Sequence, residues 1–240
     1  VRFLEGLSGV FDHRLIINNE GLNDDELTKG PVKMRSNTWF DKQNWAHIDW
    51  ELDGVTSKML DWFWSNMEKG DNLWHPDQHM DFGWFVSMEE AGGPLGSIHI
   101  APQKWADGKM LNIYIRMESF DRVPDNMREV IKFDHCVIVG GISLTGENVH
   151  KDDPAFGYRI HQWQKTDGGV VGMSSGIEVE KNDADNGLIW AKHATEEIAN
   201  WEVFLPRLYE MYKVIKNPHI NRYYSFKVEG KGKDARYTDL

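Results

Sequence analysis

The sequence predicts an α+β domain in which an antiparallel sheet curls around one long helix near the C-terminus, leaving a cavity between the two layers. Two observations carry this expectation. Strand-like runs follow one another at hairpin-scale spacing between residues 96 and 180, and an amphipathic stretch from Leu188 to Ile215 follows them. No internal repeat, low-complexity tract or long Pro/Gly/Ser linker interrupts the 240 residues, so one large domain with an elaborated end is expected.

Residues 1–54 read as an irregular N-terminal extension. Short apolar pieces (Phe3, Leu4, Leu15 to Ile17) sit among the turn-rich NNEGLNDDE and the segment NTWFDKQNW. Such a stretch is expected to pack on the main domain or at a homodimer interface. The main domain, 55–240, opens with VTSKMLDWFWSNM, a helix over 55–67 with Met59, Trp62 and Phe63 as its apolar stripe. GSIHIA at 96–101 is a short strand bounded by Gly and Pro. MLNIYIRM at 110–117 alternates strictly, with Leu111, Ile113, Ile115 and Met117 on one face. HCVIVGGISL at 135–144 is more uniformly apolar, as a central strand would be. FGYRIHQWQK at 156–165 and VVGMSSGIEVE at 170–180 flank Thr166-Asp167-Gly168-Gly169, a strong hairpin signal.

On the final helix, at about 100° per residue, Trp190, Glu197, Trp201, Phe204, Leu208, Met211 and Ile215 fall within about 80° of His193. Lys192, Glu196, Glu202, Arg207, Glu210 and Lys213 take the other side. Pro206 removes one backbone bond and is expected to kink the helix.

Composition narrows the partners. Lys and Arg number 27 against 38 Asp and Glu, a net charge of -11, which argues against a nucleic-acid backbone as ligand. No run approaches the roughly 20 apolar residues of a membrane span. Cys136, the single cysteine, excludes an intrachain disulfide and fits a reducing compartment. No basic-then-apolar leader opens the chain, so a cytoplasmic location is expected.

His193 and Glu197 are the most informative pair. Four residues apart on a helix, they project from one side, and they do so inside the apolar stripe. A carboxylate among Trp190, Trp201 and Phe204 is costly unless a positive group meets it, and a divalent metal would supply that charge. A simple His–Glu hydrogen bond would also satisfy the pattern. Trp74-His75-Pro76-Asp77-Gln78-His79 presents two histidines on a Pro-stiffened turn, which could hold a ligand or merely be solvated. His161 shares a strand face with Arg159 and Trp163, where it could move protons or sit as a satisfied core residue. His135 and Cys136 point to opposite strand faces and do not form a nucleophilic pair. Gly140-Gly141 lacks the turn and helix of a phosphate loop.

In combination, MLDWFW, LWHPDQH, HQWQKTDGG and HATEEIANWEVFLPRLY resemble the diacetylphloroglucinol hydrolase and phloretin hydrolase family, over about residues 55–212. The resemblance implies a Bet v 1-like helix-grip fold holding a zinc ion, or another divalent metal, that helps water cleave the carbon–carbon bond between an acyl group and a phenolic ring. It implies that His79, His193 and Glu197 bind the metal and that His161 is catalytic. Trp62, Trp74, Trp163 and Trp201, with Phe82, would wall a small aromatic or polyketide-like substrate.

The sequence departs from the family's pattern. The family's fourth ligand is a glutamate on a middle strand, yet no Glu occurs between Gly92 and Met117; His99, Gln103 and the later Glu118 are the alternatives. Asp71 stands where the family has a tyrosine, Phe82 where it has a polar residue, and Gly172-Met173-Ser174-Ser175-Gly176 where it has an Arg-rich strand. Two other readings therefore stay open: a non-hydrolytic cyclase, isomerase or lyase acting on a polyketide- or terpenoid-like intermediate, and a carrier of hydrophobic ligands.

Overall fold

The run AHIDWELD alternates apolar and polar residues, the period-two pattern of a strand with one buried face. In the computed structural model, which describes residues 35–105, 108–179, 184–238 and 240, this run is strand β2 (Ala46–Asp53). It pairs with β1 (Arg35–Phe40) across a turn in which Asp41 Oδ1 accepts from the backbone N–H groups of Gln43 and Trp45. This corrects the expectation that residues 1–54 are irregular, at least over 35–53. Ile48, Trp50 and Leu52 bury one face of β2 in the core, a signal that the neighbouring turn residues obscured. Residues 1–34 lie outside the described residues.

The sheet is completed by β3 (Gly83–Val86), β4 (Ile98–Lys104), β5 (Met110–Met117), β6 (His135–Ser143), β7 (Gly157–Lys165) and β8 (Gly169–Glu178). Its eight strands run β1-β2-β8-β7-β6-β5-β4-β3, each neighbour antiparallel. The expected β7–β8 hairpin is closed by Thr166, whose N–H donates to Gly169 O and whose Oγ1 accepts from Gly169 N–H. Strand β6 reads as uniformly apolar because it is buried on both faces. Val137 and Val139 join one core cluster, Cys136 and Ile138 another. Burial pushes the Cys136 thiol above its usual pKa, so it is a packing residue.

Helices α1 (Ser57–Ser65), α2 (Asp71–Trp74), α3 (Met88–Ala91), α4 (Asp125–Arg128) and α5 (Ala184–Tyr212) accompany the sheet. Thr56 caps α1 by accepting from Met59 N–H. The long helix α5 contains Pro206 and lies against β2, β8, α1 and α2. It approaches β8 closely at Gly176, where an added Cβ would stand 2.5 Å from the Trp190 ring. Trp201, fully buried, stacks on Trp74 and meets Trp50, Phe63 and Trp64 at steeper angles. This aromatic block joins α1, α2 and α5 to the sheet, the geometry in which ring pairs add to simple area burial.

The chain does not end with α5. Its tail returns across α1: Trp62 Nε1 donates to Asn221 Oδ1, Asn66 Nδ2 donates to Arg222 O, and Phe226 N–H donates to Asp61 Oδ1. A two-stranded ribbon of β9 (Val228–Glu229) and β10 (Arg236–Tyr237) completes it. No helix among the described residues is long and apolar enough to cross a membrane.

Candidate metal centre and cavity

His79 lies in the turn after α2, where Pro76 ends the helix. Its backbone is fastened to β4. Met80 N–H donates to Pro102 O, Lys104 N–H donates to Gln78 O, and His79 faces Gln103 in an antiparallel bridge. His193 and Glu197 come from successive turns of α5. The three side chains, all buried, bring one ligand atom each within 4.8 Å of one another.

The hydrogen bonds fix how the rings present themselves. His79 Nδ1–H donates to the Asp71 carbonyl at 3.0 Å, with Asp71 Oδ2 at 3.3 Å. His193 Nδ1–H donates to Gln78 Oε1 at 2.9 Å. Both Nε2 atoms therefore point inward, and both meet the same oxygen, Glu197 Oε1, at 3.2 and 3.1 Å. Two imidazole lone pairs directed at one carboxylate oxygen repel it unless extra protons or a cation intervene. Second-side hydrogen bonds of this kind are the usual support of histidine metal ligands. The group could hold a metal ion, with His79, His193 and Glu197 each offering one ligand atom.

Gln103 is the fourth neighbour. Its Nε2 lies 3.2 Å from His79 Nε2, and turning the amide over would bring its carbonyl oxygen to the same place. Of the three alternatives for a fourth ligand, Gln103 alone touches the cluster. Glu118 is held instead by the Arg116 guanidinium, at 2.9 and 2.7 Å, and does not line the cavity. His99 lines the cavity but stacks on Phe82, with ring centres 5.4 Å apart.

Electrostatics separate the histidines. For His79, burial opposes protonation, but Asp71 and Glu197 outweigh it and raise the pKa to about 10. Burial would raise the Glu197 pKa, yet His193 and His79 hold it well below the carboxylate range. Burial drives His161 down to about 4, against the pull of Glu197. His161 Nδ1 sits 2.9 Å from Ser174 Oγ, which accepts from Trp50 Nε1. His161 Nδ1 is thereby tied to Ser174, which leaves Nε2 as the ring nitrogen outside that bond.

Beside the cluster is a cavity of about 160 Å³, close to the roughly 150 Å³ that accepts one benzene ring in a protein interior. Its wall brings together Trp74, His79, His99, Gln103, His161, His193 and Glu197 from the sequence reading. Other aromatic candidates stand elsewhere. Trp62 packs on Tyr209 and the returning tail, Trp163 stacks on His135, and Phe82 backs His99. Trp201 lies behind Trp74 rather than in the wall. These four belong to the frame around the site because their strand or helix faces carry them into packed layers.

Several contributors escaped the sequence reading. Trp64 and Trp105 line the cavity, and Trp105 leans on His193 with centres 5.1 Å apart. Gln78 supports His193, and Asp71, noted only as a departure from the family, supports His79. The signal for Gln78 was its place inside HPDQH. Nothing in the local sequence marks Ser174 as the partner of His161, since that contact spans two strands. His75 stacks on His193 at 4.6 Å, with Glu196 Oε2 3.0 Å from its Nε2.

Comparison with known proteins matches no family model and no curated protein. Among solved structures, protein Ms6760 from Mycobacterium smegmatis is similar with a TM-score of 0.50 at 13% identity, over 72% of this chain and 96% of that one. Protein NE0264 from Nitrosomonas europaea gives 0.42 at 10%, over 73% and 100%. Ara h 8.0201 gives 0.40 at 10%, over 71% and 98%. At these identities the first likeness concerns the fold alone. The architecture itself, a large antiparallel sheet with a long helix near the C-terminus, is read from this chain.

Proposed function

We propose that the protein is a metal-dependent hydrolase that cleaves the carbon–carbon bond between an acyl group and a phenolic ring, in a Bet v 1-like helix-grip fold. The observation that carries this reading is the convergence of His79 Nε2 and His193 Nε2 on Glu197 Oε1, with each Nδ1 already committed to an oxygen. A bound divalent ion, zinc by its fit to this N,N,O set, would supply Lewis acidity and a more acidic water. His79, His193 and Glu197 would hold it, with the Gln103 carbonyl as a fourth donor.

The chain's other residues set the substrate's position. Trp64, Trp74 and the apolar side chains of β5 would enclose one aromatic ring and keep bulk water away. His161, kept neutral by burial, would hydrogen-bond a ring hydroxyl through Nε2 and relay that hydroxyl's proton to the acyl-bearing ring carbon. After the bond breaks, the electron pair stays with the ring carbon that has taken the proton, and the acyl group leaves as the carboxylic acid. The test is incubation of zinc-loaded protein with an acylphloroglucinol. The expected products are the free acid and the deacylated ring in equal amounts, with no release after chelation. Tight binding with no acid released would overturn the hydrolytic reading.

One observation favours a second reading. Gln103, the residue that touches the cluster, is uncharged, so a donor set completed by it carries one negative charge fewer than one with the glutamate of the resembled family. A more electrophilic ion suits carbonyl polarisation in an isomerase, cyclase or lyase, with His161 moving the proton. Conversion of the substrate to an isomer, without incorporation of water, would select this reading.

A further inference from the structure

His99 is buried, lines the cavity, and has no hydrogen-bond partner for its ring among the described residues. A neutral imidazole offers one donor and one acceptor to a group in the cavity. The ring is nevertheless held in place. Phe82 lies nearly parallel to it (10°), and Trp84 meets it edge-on at 6.3 Å. It is not one of the clustered ligands, although the charges of His79 and Asp71 reach it. Gln103, the residue of β4 beside His79, is four positions further along the strand, about 13 Å at about 3.3 Å per residue. Across the sheet, His99 pairs with Ile115, Ile115 with Gly141, and Gly141 with Gly157. All four line the cavity, so His99 ends a row whose other members carry no polar side chain.

We propose that His99, from the β4 wall of the cavity, hydrogen-bonds a hydroxyl on the ring of the bound ligand. A hydroxyl both donates and accepts, as a neutral imidazole does. A carboxylate would call for a protonated ring, and burial holds the His99 pKa at about 4. A purely apolar ligand edge would leave the nitrogens unpaired and desolvated, which opposes binding. Phe82 thus acts on the ligand indirectly, by fixing the plane of the ring that touches it. The inference rests on the reading of this cavity as an aromatic-ligand site, and not on hydrolysis.

The test compares phenol with toluene, which match in shape and differ in the hydroxyl. Binding to the zinc-loaded full chain is measured by ligand-detected NMR. The wild-type protein is expected to prefer phenol by about tenfold, the effect of one buried hydrogen bond. His99→Phe should remove most of that preference while the zinc content stays unchanged, and His99→Gln should retain it. A wild-type protein without preference, or a His99→Phe variant with the full preference, would overturn the proposal. Failure to release acid from an acylphloroglucinol would count against hydrolysis while leaving this preference standing.

Discussion

His79 and His161 line one cavity, are each about 3% exposed, and are displaced in opposite directions. His79 rises to about 10 and His161 falls to about 4. Burial pushes both the same way. The difference lies in the partners: His79 has two carboxylates, Asp71 and Glu197, within 3.3 Å, whereas His161 has a serine hydroxyl. One part of the cavity is therefore built to hold positive charge, and the other to present an uncharged imidazole. That division matches a metal-holding role for His79 and a proton-handling or orienting role for His161.

The contrast can be broken from either side. The largest effect is expected for His161→Phe, which should lower turnover by about 10²–10⁴-fold, the scale of a lost acid–base group. Zinc content should stay at the wild-type level. Loss of zinc along with activity would show that the two roles are not separate. Next in size, Trp201→Ala should cost about 3–5 kcal/mol of stability in urea denaturation, because Trp201 is fully buried against Trp74 and Phe63. A cost near zero would mean that the aromatic block does not hold the wall.

Gln78→Leu should weaken zinc binding by about 10–100-fold, since it frees His193 Nδ1, while the fold survives. Calorimetric titration of zinc into the chelator-treated variant reads this directly, and unaltered affinity would remove Gln78 from the site. The smallest effect concerns pH. His161 and His99 have folded pKa values near 4, below the unfolded value of 6.5. Between these limits the unfolded chain binds more protons, so their contribution to stability is complete above about pH 6.5. It falls away as the pH drops towards 4. The loss of stability across that window should be smaller in a His161→Phe protein. Equal acid sensitivity in both proteins would contradict the neutral assignment of His161.

How much of this was legible in the sequence follows the range of the interactions. Strict alternation marked β5, and the Thr166–Gly169 turn marked the hairpin before β8. The helical spacing of His193 and Glu197 placed both on one face, because one turn of helix is a local rule. The HPDQH segment drew attention to His79, but only the bridge from His79 to Gln103 brings it against α5. Strand β2 obeys the same alternation as β5, but the turn formers Asp41 and Asn44 beside it mask the signal. Aromatic residues misled: eleven tryptophans make any cavity look well supplied. Whether Trp163 lines the cavity or stacks on His135 depends on packing between layers.

The most direct test is a zinc titration of chelator-treated protein, run beside Glu197→Gln. This substitution keeps the shape and removes the charge on which both imidazoles converge. The expected result is one zinc ion per wild-type chain, with affinity reduced by hundredfold or more in the variant, on the order of the cost of unpairing a buried charge. No uptake by the wild-type protein, or the same uptake by both, would contradict a metal centre at His79, His193 and Glu197.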